Sequence, residues 1–171
     1  MMAKTSGGVR TYRQGSSTYR KRQAEVAAMR ASGRYSSVEM GRGGGWLAIE
    51  KSRFPHKPEE IEAARILADK GYKVTLINES GMERTPDGYL FKASFEQRTP
   101  QGGNYRNVVK GLEHAKKKSS DVAVLYDKHG VHTRSSIEKG ISQYEYLNKY
   151  RFKEIIVISK DGKVHRHKHN T

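Results

Sequence analysis

Tyr105-Arg106-Asn107-Val108-Val109-Lys110-Gly111-Leu112-Glu113-His114-Ala115-Lys116-Lys117-Lys118, followed by Asp121-Val122-Ala123-Val124-Leu125-Tyr126, decides the fold class. Val108, Val109, Leu112 and Ala115 recur at helical spacing and give the first part a single apolar stripe. Val122 to Tyr126 is a short unbroken apolar run, the pattern of a compact buried strand. A one-stripe helix leading into a buried strand is a building unit of a mixed α/β domain.

The same alternation continues on both sides. Ser135 and Glu138 read as a capping box. Ile137, Ile141, Tyr144 and Leu147 carry that helix to about Tyr150. Glu154 to Ser159 reads as a strand, Asp161-Gly162 as a hairpin turn and Val164 as the start of a final strand. Toward the N-terminus, Gln101-Gly102-Gly103-Asn104 closes an extended segment running from about Tyr89 to Arg98 and bent into two strands. Pro58 suits a first helical turn, and Ile61, Ala64, Leu67 and Ala68 follow at helical spacing up to Gly71. Tyr72 to Ile77 is a strand and Asn78-Glu79-Ser80-Gly81 a turn. The expected fold over residues 51–171 is α/β (α+β), a small mixed sheet flanked by about three helices.

Residues 1–50 read differently. Gly and Ser are scattered through them, Gly43-Gly44-Gly45 closes them, and nine Lys or Arg face three acids. Ser17 to Ala31 is a candidate basic helix, with only Tyr19, Val26 and Met29 as an apolar stripe. The expectation is a largely disordered basic tail, with Trp46-Leu47-Ala48-Ile49 as the first strand-like piece docked on the core.

Charge bounds the partner. The 171 residues carry 33 Lys+Arg against 18 Asp+Glu, a formal net charge of +15. Such an excess attracts polyanions, and nucleic acid is the expected partner. Cysteine is absent, which excludes a disulfide framework and any Cys-containing zinc site. No apolar run approaches the roughly 18 residues of a membrane span, and no apolar segment follows the basic N-terminus as in a signal peptide. The expected location is the cytoplasm, reached directly or after release from a larger carrier. There is no Walker lysine motif and no dinucleotide fingerprint, so no nucleotide cofactor is expected.

The stretch with most chemistry in it is Thr85-Pro86-Asp87-Gly88 through Phe95-Glu96-Gln97-Arg98-Thr99-Pro100. Glu96 and Arg98 project from one face of a strand, because side chains alternate. Asp87 approaches them if the segment folds back as a hairpin. Two carboxylates and a cation so placed suit a divalent ion and a phosphate under attack; the other reading is a surface salt bridge beside a turn.

On Pro86-Asp87, Glu96-Gln97-Arg98 and Thr99-Pro100, the chain from Pro58 to about Val164 resembles the CdiA C-terminal tRNA nuclease family. These are the toxin domains of contact-dependent inhibition systems, with phage and mobile-element relatives. That family shows a Pro-Asp pair, then Glu-x-Lys and a Ser/Thr-Pro. The likeness continues through Gly102-Gly103-Asn104, the helix Asn107 to Lys118, the strand Asp121 to Tyr126 and Lys160-Asp161-Gly162-Lys163. It implies a ribonuclease acting on tRNA, without a cofactor, and neutralised by a cognate immunity protein. Arg98 stands where the family has Lys, and Lys118 stands near where relatives show Gln. Arg keeps its charge at all working pH values, so it stabilises phosphate but shuttles protons poorly. A degenerate nuclease fold that only grips nucleic acid is therefore an alternative. The same spacing also resembles the PD-(D/E)XK nucleases, which implies Asp87 and Glu96 as ligands of Mg2+ and DNA as the substrate.

The histidines are the other candidates. His129 and His132 lie in the loop Lys128 to Arg134 after the buried strand, where catalytic groups gather, and either suits acid–base work on a 2′-hydroxyl. His56 and His114 read as structural or solvated. His165, His167 and His169 alternate with Arg166 and Lys168, either as a solvated basic end that touches phosphate or as a metal site. The basic face draws on Lys110, Lys116, Lys117, Lys118, Arg134 and Arg151, with Tyr146 and Tyr150 as stacking aromatics for single-stranded RNA.

Overall fold

The computed structural model of the chain describes residues 4–6, 9–78 and 85–168. Glu79, Ser80 and Gly81 of the expected turn, and His169, lie outside the described residues. The chain is a mixed α/β fold in two compact units. One is Gly8–Ser94; the other runs from Phe95 onward and takes in a short strand near the N-terminus. That strand is β1 (Lys4–Ser6).

The N-terminal unit contains α1 (Ser17–Ala31), β2 (Tyr35–Met40), β3 (Trp46–Glu50), α2 (Pro58–Asp69), β4 (Lys73–Leu76) and β5 (Gly88–Leu90). Its strands run in the order β5-β4-β3-β2. The β2/β3 and β4/β5 pairs are antiparallel, and β3/β4 is parallel across the α2 crossover. Val26 of α1 packs with Val38, Trp46 and Ala48.

This is where structure and sequence part. The stretch expected as a disordered tail holds a helix and two paired strands, which brings the described helices to four. Arg22 supplies the physical reason. It is buried, and its Nη1 donates to the carbonyls of Gly44 and Gly71, both at 3.1 Å. A guanidinium so placed makes hydrogen bonds that a weak apolar stripe does not foretell.

The C-terminal unit continues β6 (Ala93–Arg98) from Phe95, then α3 (Tyr105–Lys117), β7 (Val122–Tyr126), α4 (Arg134–Leu147), β8 (Glu154–Ile158) and β9 (Val164–Lys168). The strand order is β1-β9-β8-β7-β6. β6, β7 and β8 are parallel, and β9 turns back antiparallel at Asp161-Gly162, as expected. Both crossover helices lie on one face, where Val108, Leu112, Ile141 and Tyr144 pack on Ala123, Leu125, Ile155 and Val157. Gly140 permits the close approach of α4 to α3: a Cβ there would sit 2.5 Å from Val108 Cβ.

The start of α4 corrects one expectation. The N-cap is Thr133, whose hydroxyl accepts from the Ser136 N–H at 3.1 Å, while the Ser136 hydroxyl accepts from the Thr133 N–H at 3.1 Å. The box is therefore Thr133 with Ser136, two residues before Ser135 and Glu138. Glu138 instead pairs with Arg134 at 2.9 Å. Among the described residues no helix is long and apolar enough to cross a membrane.

Candidate functional site

Strand register places the candidate residues of the C-terminal unit. One row across its strands reads Glu96, Ala123, Ile155, His167; the next reads Arg98, Leu125, Val157, His165. The central members of both rows lie under α3 and α4. Glu96 and Arg98 flank the helical pair on one side, His165 and His167 on the other.

On the first flank, Glu96 is 4% exposed. A carboxylate this deep needs a partner, because desolvation penalises its charge. His114 of α3 is one, with Nε2 at 3.2 Å from Glu96 Oε2. Arg98, Lys110, His114 and Lys117 line a pocket of about 390 Å³, together with Asn107 and Thr99. The helix sits close over the strand at Gly111, where an added Cβ would lie 3.1 Å from Leu125 Cδ2 and 3.6 Å from Arg98 Cβ. The result is a carboxylate-bound imidazole beside Arg98, Lys110 and Lys117, with Glu113 also on the lining, a setting whose three basic groups suit a phosphodiester.

On the second flank, a cavity of about 360 Å³ is lined by Asp127, His132, Arg134, Ser159, His165 and His167, among others. Asp127 is buried and fixes the loop, since its Oδ1 accepts from the Val131 N–H and its Oδ2 from the His132 N–H, both at 3.0 Å. His132 Nδ1 lies 2.9 Å from Ser136 Oγ, and its Nε2 is buried without a hydrogen-bond partner among the described residues. Burial pushes the His167 imidazole below its ordinary pKa; Glu138 opposes this, and His165 and Arg134 reinforce it.

The sequence candidates thus separate. Glu96, Arg98, Lys110 and Lys117 come together. His132 and Arg134 come together elsewhere, with His165 and His167. His129 is exposed on the loop and lines neither cavity. Asp87 belongs to the N-terminal unit, where it is buried and its carbonyl accepts from the Ile77 N–H at 3.1 Å. Lys116 turns to Asn148 Oδ1 at 2.9 Å. Lys118, at the C-cap of α3, lines neither cavity. Arg151 donates to the carbonyls of Asn148 and Glu145 near the end of α4.

Tyr146 is 85% exposed and open to stacking. Tyr150 is not so placed: its hydroxyl donates to the Ser120 carbonyl at 2.6 Å, its ring meets Phe152 edge-on, and burial pushes its phenol pKa up. Gly103 faces the Val131 carbonyl, 2.4 Å from where a Cβ would be, so loop packing accounts for it.

Sequence reasoning passed over His114 and Asp127. His114 shares a helical face with Asn107, Lys110 and Lys117, and the mid-helix Gly111 on that face was the available signal of a close approach. Among the described residues, no group of three or more His, Cys, Asp or Glu side chains is gathered for a metal ion.

No family model matches the sequence, and no curated protein matches it. Among solved structures, the chain is similar to a chain of the CdiA-CT/CdiI toxin and immunity complex from Burkholderia pseudomallei. The TM-score is 0.56 at 22% identity, over 71% of this chain and 98% of that chain. At that identity the likeness is one of fold.

Proposed function

We propose that the chain is a toxin-type nuclease that cleaves RNA, with tRNA as the substrate class, at the Glu96–His114–Arg98 pocket. The observation that carries this reading is the buried Glu96 carboxylate holding His114 at the edge of a pocket lined by Arg98, Lys110 and Lys117. Glu96 orients the imidazole. His114 takes the 2′-hydroxyl proton as the O2′–P bond forms and returns it to O5′ as the P–O5′ bond breaks. Arg98 and the two lysines neutralise the phosphate and the charge that grows on it. The fold shared with a chain of a toxin and immunity complex is consistent with an immunity protein as a partner.

A second reading has one observation in its favour: Glu96 is a buried acid on the same strand face as Arg98. A magnesium ion held by one or two carboxylates and by substrate phosphate needs no larger ligand cluster. It would supply Lewis-acid chemistry, with Arg98 on the phosphate.

The test is incubation of the full chain with total tRNA and with plasmid DNA, each with magnesium and with chelator. Discrete tRNA fragments that persist in chelator and vanish in Glu96→Ala support the ribonuclease. Nicking of plasmid only with magnesium, lost in Glu96→Ala, replaces it with the metal-dependent reading. Intact but shifted nucleic acid reduces the chain to a binding protein.

A further inference from the structure

The cavity on the second flank is not used by that chemistry, yet it contains a buried, unsatisfied group. A second cavity of about 650 Å³ adjoins it and shares Asp127, His132, Ser159 and His165. Together they form one cleft, with Arg134 at one end and Lys160 and Lys163 at the other.

Assigning the Ser136 hydroxyl hydrogen to the Thr133 carbonyl at 3.0 Å leaves that oxygen as the acceptor toward His132 Nδ1 at 2.9 Å, which sets the tautomer with the hydrogen on Nδ1. In the neutral ring Nε2 therefore carries the lone pair, and this buried acceptor has no partner among the described residues. The ring cannot easily swing away to find one. Its main chain is pinned by Asp127 and its Nδ1 by the first turn of α4.

An acceptor in that position calls for a ligand that donates. Phosphate oxygens accept only, base N–H groups donate in RNA and DNA alike, and deoxyribose within a strand has no hydroxyl to donate. The ribose 2′-hydroxyl donates, and it is the group by which proteins tell RNA from DNA. Cations at both ends of the cleft supply places for the flanking phosphates. We propose that this cleft reads ribose: His132 Nε2 accepts from a 2′-hydroxyl while Arg134, Lys160 and Lys163 hold the backbone. The inference rests on the reading of this chain as an RNA-binding protein, and it assigns the choice of RNA over DNA to His132.

The experiment measures binding rather than cutting, on full-length protein carrying Glu96→Ala. Fluorescence anisotropy at one salt concentration compares a short mixed-sequence single-stranded RNA, the same sequence as DNA, and its 2′-O-methyl form. RNA is expected to bind about five- to tenfold more tightly than DNA, the increment of one well-made buried hydrogen bond. The 2′-O-methyl strand, which cannot donate, is expected to bind like DNA. Adding His132→Asn, whose amide can still donate to Ser136 but does not reach as far as Nε2, is expected to bring the ratio near one by weakening RNA alone. His132→Phe and a thermal melt of each variant separate loss of recognition from loss of fold. Equal RNA and DNA affinity in the parent protein overturns the inference. So does a 2′-O-methyl strand that binds like RNA, or an RNA preference that survives His132→Asn. Loss of tRNA cleavage as a property of the wild-type chain, with the ratio intact, sinks the nuclease reading and leaves ribose recognition standing.

Discussion

His114 Nε2 lies 3.2 Å from Glu96 Oε2, and the two side chains are unequally exposed, at 38% and 5%. The carboxylate is thus the buried anchor and the imidazole the partner that reaches the pocket. Replacing Glu96 with Gln keeps the shape and removes the charge that orients and stabilises the imidazolium. Cleavage of tRNA is expected to fall by about 10²-fold or more, the range for losing acid–base function. RNA affinity is expected to stay within about twofold of the parent. Time courses on gels alongside anisotropy check both numbers, and a Glu96→Gln variant that cuts normally removes Glu96 from the chemistry.

Lys110 and Lys117 line the pocket with Arg98, whereas Lys116 is turned toward Asn148. Binding that neutralises roughly 5–6 phosphates gives a slope of log affinity against log salt of about −4 to −5. Lys110→Ala and Lys117→Ala are each expected to make that slope shallower by about one. Lys116→Ala is expected to change it much less. Titrations at several salt concentrations read this directly, and equal effects from all three lysines would place the RNA elsewhere.

Arg22 tests the N-terminal unit. Its guanidinium serves the carbonyls of Gly44 and Gly71, so Arg22→Leu strands buried acceptors at about 1–3 kcal/mol each. Urea unfolding of the full chain is expected to show that loss. A change below about 0.5 kcal/mol is what an exposed tail residue gives, and it would return residues 1–50 to that description.

His167 predicts a pH dependence of stability. Burial lowers its folded pKa, so the unfolded chain takes up the proton first as pH falls. The stability is complete above the ordinary histidine value of about 6.5 and is lost progressively as pH drops through the folded value. Thermal melts from about pH 7.5 to about pH 5 are expected to decline less steeply in His167→Asn than in the parent. Parallel curves would mean that His167 stays solvated.

The C-terminal unit was legible almost element by element, because its signals are local: the stripe of Val108, Val109, Leu112 and Ala115, the run Val122 to Tyr126, and the Asp161-Gly162 turn. In residues 17–50 the candidate helix Ser17–Ala31 and the strand-like Trp46–Ile49 were legible, whereas their order and the strand Tyr35–Met40 were not, because Arg22 reaches two distant carbonyls and a basic residue in a basic stretch looks solvated. The site was half legible. Glu96 and Arg98 share a strand face at a spacing of two, which sequence displays. His114 meets Glu96 only because α3 crosses back over β6, and His165 and His167 reach the neighbourhood of His132 only through the β8–β9 register. Such long-range pairings leave no periodic trace.

Glu96 and His167 stand in one row, three strand spacings apart, with the α3–α4 pair rising between them. At about 4.8 Å per strand that separation is roughly 14 Å. The ridge therefore acts as a ruler. A mononucleotide satisfies one flank or the other, never both, whereas a folded polynucleotide that arches over the helices engages the two at once. Discrimination against short fragments, including those the proposed cleavage would leave, is then a matter of length and curvature.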